Sequence, residues 1–167
     1  FISKNREQLI KDGFLFSYPE SEIIDTLIYK DKFYKTYQNS VLDLPKTVYY
    51  DCKTKEPIPS GLTFPVVVKP SNVILYNHLS FEGKNKIYKI DSLPELEKTV
   101  KKIIDGGYDD CLILQDFIPG DDSYLFDAVA YCDKNKKVSF LSFAQIGLQE
   151  QTKSMVGNAA VLINEYN

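Results

Sequence analysis

One histidine, three cysteines and eight glycines among 167 residues leave little room for several common chemistries. A single imidazole, His78, cannot build a zinc cluster. It is also the one base available to a serine or cysteine nucleophile, and no glycine-flanked serine accompanies it. Cys52, Cys111 and Cys132 have no metal-ligand spacing, and an odd number of isolated thiols fits a reducing cytoplasm. Cys111 and Cys132 lie inside apolar or alternating runs and read as small core residues. The glycines are too dispersed for G-x-G-x-x-G. Gly83-Lys84 fails as the end of a P-loop because His78 stands where the earlier glycine belongs.

Other classes fall away with equal economy. No apolar run approaches the ~20 residues of a membrane span, and no secretory signal is visible. The net charge of −3, with lysines scattered along the chain, offers no basic face for nucleic acid. The chain begins at Phe1 rather than Met and stops soon after the apolar run 159–163, so a piece of a longer protein is expected.

What is present supports a real core. Hydrophobic residues make up 44% of the chain, and 12 tyrosines and 10 phenylalanines argue against disorder. After a lead-in over 1–20, the apolar spacing of Ile23, Ile24, Leu27 and Ile28 predicts a helix over 21–29, with Ser21 as its cap. A second helix is expected over 31–38, with Asp31 suited to its positive end. A short strand follows at 47–50, then a loop over 53–61. The strongest helical pattern is Ser92–Ile104, with Ser92 capping, Pro94 in the first turn, a stripe of Leu96, Val100, Ile103 and Ile104, and a Gly106-Gly107 stop. Strands are predicted at 64–69, 86–90, 111–115, 125–132 and 137–146, the last two joined by a turn at 133–136. His78 falls in a polar, aromatic loop and reads as a surface residue. Segregated helices and strands of this kind indicate an α+β fold.

Within that pattern one residue is out of place. Phe64–Val68 reads as a buried strand, yet Lys69 follows at once and Pro70 closes it; an amine there is costly if enclosed and unpaired. Three elements occur in order: Asp31-Lys32 opening a helix, Phe64-Pro-Val-Val-Val-Lys-Pro70 after a linker, and Leu112-Ile-Leu-Gln-Asp-Phe-Ile-Pro-Gly-Asp-Asp-Ser123 after a helix. In this order they resemble the ATP-grasp superfamily, across roughly residues 20–123.

The resemblance implies a nucleotide site. Lys32 and Lys69 would face the phosphates. Gln115, in place of the usual hinge glutamate, and its neighbours Asp116 and Phe117 would border adenine. Ile118 would offer its backbone N–H to the ring, and Asp122 would accept from the ribose hydroxyls after the Pro119-Gly120 turn. No catalytic residue is assigned. Ser80–Tyr88 in place of a glycine-rich lid, together with 115–123 and 156–160, resembles the carboxylate–amine ligases of the D-aspartate ligase type. Those enzymes attach an amino acid such as D-aspartate to the lysine side chain of a peptidoglycan precursor, so a small carboxylate and an amine-bearing acceptor are the implied partners.

By the same resemblance, residues 1–20 are the remnant of an N-terminal domain, 21–116 the lid or first ATP-grasp subdomain with antiparallel strands and helices, and 117–167 the start of the second. ATP and Mg2+ are the implied cofactors, with the metal ligands expected downstream. Glu165-Tyr-Asn167 spells E-x-N but comes too early to be the family's metal pair. A piece without those ligands is expected to be inactive alone. A small-molecule kinase and a non-catalytic nucleotide-binding module are the rival readings.

Overall fold

The computed structural model describes residues 1–152 and 157–164. It divides into two compact units, Phe1–Phe117 and Ile118–Asn167.

In the first unit, helices α1 (Arg6–Lys11), α2 (Ser21–Ile28) and α3 (Lys30–Tyr37) precede strand β1 (Thr47–Asp51). Strand β2 (Val66–Pro70), helix α4 (Val73–His78), strand β3 (Tyr88–Ile90), helix α5 (Leu93–Asp105) and strand β4 (Cys111–Asp116) complete it. The strands pair antiparallel in the order β1-β4-β2-β3, so the last strand in sequence lies inside the sheet. That position explains why Leu112, Ile113, Leu114 and Gln115 are all buried.

Side chains alternate across a strand, and the two faces differ in chemistry. Tyr50, Cys52, Val66, Val68, Tyr88, Ile90, Leu112 and Leu114 form one core with Leu96, Val100 and Ile103 of α5. The opposite face carries the intervening residues Thr47, Tyr49, Val67, Lys69, Ile113 and Gln115.

Helix α5 ends as its two glycines predict. Gly107 has φ +96°, its N–H donates to Ile104 O at 2.9 Å, and Tyr108 N–H reaches back to Ile103 O at 3.2 Å. These are the two bonds of a Schellman stop. The start differs from expectation: Ser92 occupies the N-cap without a side-chain cap bond, while Glu95 Oε2 accepts from Asp91 N at 3.1 Å. Ser21 likewise is the first helical residue rather than the cap, which is Glu20.

Two further differences concern the segment after Pro70. His78 ends a helix, α4, whose N-cap Asn72 accepts from Leu75 N at 3.0 Å, although its side chain is exposed as expected. Strand β3 begins at Tyr88, two residues later than predicted, because the turn before it is pinned by tyrosine hydroxyls. Tyr76 OH donates to Asn85 O at 2.8 Å and lies 2.9 Å from Tyr88 OH, which accepts from Asn85 N at 2.9 Å.

The second unit holds a three-stranded antiparallel sheet in the order β5-β6-β7, with β5 at Phe126–Cys132, β6 at Val138–Gln149 and β7 at Ala159–Ile163. The apolar run 159–163 is therefore a strand. Cys132 is exposed on β5 rather than in the core as expected, Cys111 is half-buried, and the fully buried thiol is Cys52. Alternation placed Cys132 in a strand correctly, but most side chains of β5 are exposed. The E-x-N at 165–167 and part of the 156–160 stretch lie outside the described residues.

Candidate nucleotide site

Lys69 sits on β2 two residues beyond Val67, and Val67 is the cross-strand partner of Gln115. Lys69 and Gln115 are therefore diagonal neighbours on one face, within reach of a long side chain. On the other side of β4, Thr47 is the direct partner of Gln115. The three side chains meet. Lys69 Nζ donates to Gln115 Oε1 at 2.7 Å, and Gln115 Nε2 donates to Thr47 Oγ1 at 2.8 Å.

Helix α3 adds Tyr34 to this group. Its hydroxyl accepts from Lys69 Nζ at 3.2 Å and donates to Gln115 Oε1 at 3.3 Å, with the Lys69 amine 5.3 Å from the ring centroid. Lys69 is thus not left facing water, as a lone strand-end lysine would be. Its charge is met by neutral oxygens and an aromatic face, and among the described residues no carboxylate pairs with it.

A second lysine joins the site that sequence reasoning missed. Lys30 is half-buried, and burial, followed by the charges of Lys69 and Lys86, holds its ammonium below the usual lysine range. Lys30 and Tyr34 are four residues apart and so share a helix face, whereas Lys32 is turned away from both. Lys32 is exposed, with its amine 4.8 Å from the Tyr29 ring centroid. The helical period was the available signal: of the two lysines flanking Asp31, Lys30 lies on the face of Tyr34.

Asp31 itself is structural. Burial raises its carboxyl, but bonds from the Ser71 hydroxyl (2.5 Å) and the Lys35 ammonium (3.2 Å) outweigh it and hold the group below the ordinary carboxylate range. Asp31 N also donates to Ser71 Oγ at 3.0 Å, which ties the start of α3 to the end of β2.

The hinge residues beyond Gln115 separate by unit. In the first, Asp116 N donates to Lys46 O at 3.0 Å and Phe117 N to Pro65 O at 3.2 Å, so neither amide is free. The Phe117 ring lies 4.5 Å from the Lys89 amine. In the second, Ile118 is 68% exposed, and among the described residues its N–H has no main-chain partner. Asp122 accepts from Gln149 N at 2.8 Å and from Gln149 Nε2 at 2.7 Å. Both carboxylate oxygens keep further lone pairs for hydroxyl donors. Among the described residues no three His, Cys, Asp or Glu side chains converge to hold a metal ion.

No family model matches the chain. It is 30% identical to the D-aspartate ligase of Enterococcus faecium (strain Aus0004) over 99% of its own length, and spans 40% of that protein. The L-amino acid ligase of Bacillus licheniformis superposes over 99% of the chain and 33% of its own, with a TM-score of 0.61 at 18% identity. The D-alanine–D-alanine ligase of Helicobacter pylori does so over 99% of the chain and 49% of its own, with a TM-score of 0.58 at 15% identity.

The chain has the ATP-grasp fold. The α+β architecture of antiparallel sheets and helices expected from the sequence is the one present, and over nearly its whole length the sequence resembles a D-aspartate ligase. No helix is long and apolar enough to cross a membrane among the described residues.

Proposed function

We propose that this chain is the nucleotide-cleft part of an ATP-dependent carboxylate–amine ligase. The observation that carries the reading is Lys69. A strand-end amine is held on one sheet face by neutral groups, with no carboxylate paired to it among the described residues and Lys30 beside it. Such a pair of cations on a partly enclosed face suits a polyphosphate; each amine near a phosphate contributes roughly 4 kcal/mol at an effective dielectric near 20. By the resemblance Lys32 would face the phosphates, and Lys30 would join Lys69 there. Gln115, Asp116 and Phe117 would border adenine, Ile118 N–H would donate to the ring, and Asp122 would take the ribose hydroxyls.

In the reaction proposed, a substrate carboxylate oxygen attacks the γ-phosphorus and ADP leaves, giving an acyl phosphate. An amine then attacks the acyl carbon, phosphate departs, and the amine loses a proton. This chain's lysines would neutralise and position the phosphates. Magnesium would supply further charge neutralisation from ligands beyond these residues. The likeness to a D-aspartate ligase supports D-aspartate as the carboxylate and the lysine side chain of a peptidoglycan precursor as the amine. A cytoplasmic setting follows from those substrates.

The chain alone should bind MgATP weakly and not turn over. Isothermal titration checks this, and micromolar affinity would contradict a site that needs further residues. In the full-length protein, ADP release that depends on the amine supports ligation; equal release without any amine points to a kinase.

A further inference from the structure

The geometry points to Tyr34 and Thr47 as positioning residues: we propose that they lock the Gln115 amide so that the Lys69 ammonium is aimed with one N–H and its whole charge free for an anion. The inference rests on the reading of Lys69 as a phosphate-binding amine.

The proton bookkeeping fixes the arrangement. A glutamine amide can present either end, and its partners decide which. Thr47 Oγ1 donates to Pro45 O at 2.8 Å, so it faces Gln115 with a lone pair and can only accept. Gln115 Nε2 must therefore point to Thr47, which turns Oε1 toward Lys69 and Tyr34. Gln115 is 4% exposed, so water is poorly placed to compensate a wrong orientation.

Tyr34 closes the circuit by accepting from Lys69 while donating to the same Oε1. Two of the three ammonium hydrogens are then committed, and one remains. Among the described residues every partner of the amine is neutral, and no carboxylate there cancels its charge. A glutamate at 115 would hold Lys69 as firmly but as an ion pair, which competes with an incoming anion. The neutral amide holds the amine without that competition.

The test uses the full-length protein and three variants: Thr47→Val, which keeps the shape but removes the acceptor, Thr47→Ser, which restores it, and Tyr34→Phe. Two quantities are read, the acetylation rate of Lys69 by trace acetic anhydride, followed by mass spectrometry, and KM for ATP. Thr47→Val and Tyr34→Phe are expected to change Lys69 labelling at least threefold and raise KM for ATP about tenfold, with the KM of the carboxylate substrate unchanged. Thr47→Ser should stay within twofold of the parent in both.

Unchanged labelling in Thr47→Val and Tyr34→Phe overturns the lock. Changed labelling with an unaltered KM for ATP overturns its purpose. A failure of the nucleotide reading itself looks different: Lys69→Ala would then leave KM for ATP at the parent value while Lys69 labelling still responds to Thr47→Val.

Discussion

Tyr76→Phe isolates the hydrogen bonds that pin the segment between α4 and β3. Tyr76 is 1% exposed, and its ring packs edge-on against Phe81 and Tyr108 at centroid distances of 6.0 and 5.5 Å. Phenylalanine keeps those contacts, so the packing term is close to zero. What is lost is the O–H that donates to Asn85 O at 2.8 Å, and the 2.9 Å contact with Tyr88 OH. Asn85 O is left short of a donor in a partly enclosed place, which costs about 1–3 kcal/mol. Tyr88 OH keeps Asn85 N as a donor at 2.9 Å, so its own penalty is smaller. Urea denaturation followed by circular dichroism should therefore show an unfolding free energy lower by that amount, read as a lower midpoint at unchanged slope. The Tyr76→Phe/Tyr88→Phe pair should lose less than the sum of the singles, by about 0.5 kcal/mol or more, because they share one bond. A Tyr76→Phe variant within about 0.5 kcal/mol of the parent, or strictly additive losses, would refute the reasoning.

The remaining predictions concern thiols, acid and packing. Burial, with nearby Cys111 and carboxylates adding to it, pushes the Cys52 thiol up to about 12, and burial foremost pushes Cys111 to about 11. At neutral pH a maleimide should label exposed Cys132 first, and fast labelling of Cys52 in the folded chain would contradict its burial. Because Asp31 titrates below its ordinary 3.8, its contribution is present above that pH and lost as pH falls through the lower folded value. Asp31→Asn should flatten that acid limb of stability, and an unaltered limb would remove Ser71 and Lys35 as its partners. Gly106→Ala would place a Cβ 2.4 Å from the Phe81 ring, so a loss of about 1–3 kcal/mol is expected in a thermal melt, where an unchanged transition would show that Phe81 yields freely.

Much of this was legible where local pattern and tertiary demand agree. The stripe of α5 and its glycine stop appear in the sequence because one amphipathic helix buries one face, and a left-handed C-terminal residue favours glycine. The α4 helix was harder. Val73–Tyr76 is a short apolar run that periodicity cannot distinguish from a strand, and the signal was Asn72, an N-cap immediately ahead of it.

For the site, the strand-end position of Lys69 was visible because it breaks an apolar run. Its partners were not: Tyr34 and Thr47 lie 35 and 68 residues from the groups they touch, Lys69 and Gln115 respectively, and it takes the packing of α3 against β4 and the β1-β4-β2 order to bring them together. Lys30 was hidden by a neighbour of identical charge, and only the turn of α3 separates it from Lys32. Cys132 misled because alternation reports a strand but not which of its faces is covered.

Lys69→Ala in the full-length protein tests the central claim most directly, with ADP release measured in the presence of both carboxylate and amine. Most of the ADP release should disappear while the circular dichroism spectrum and the unfolding midpoint stay near those of the parent. Near-normal ADP release from a folded Lys69→Ala protein would contradict it.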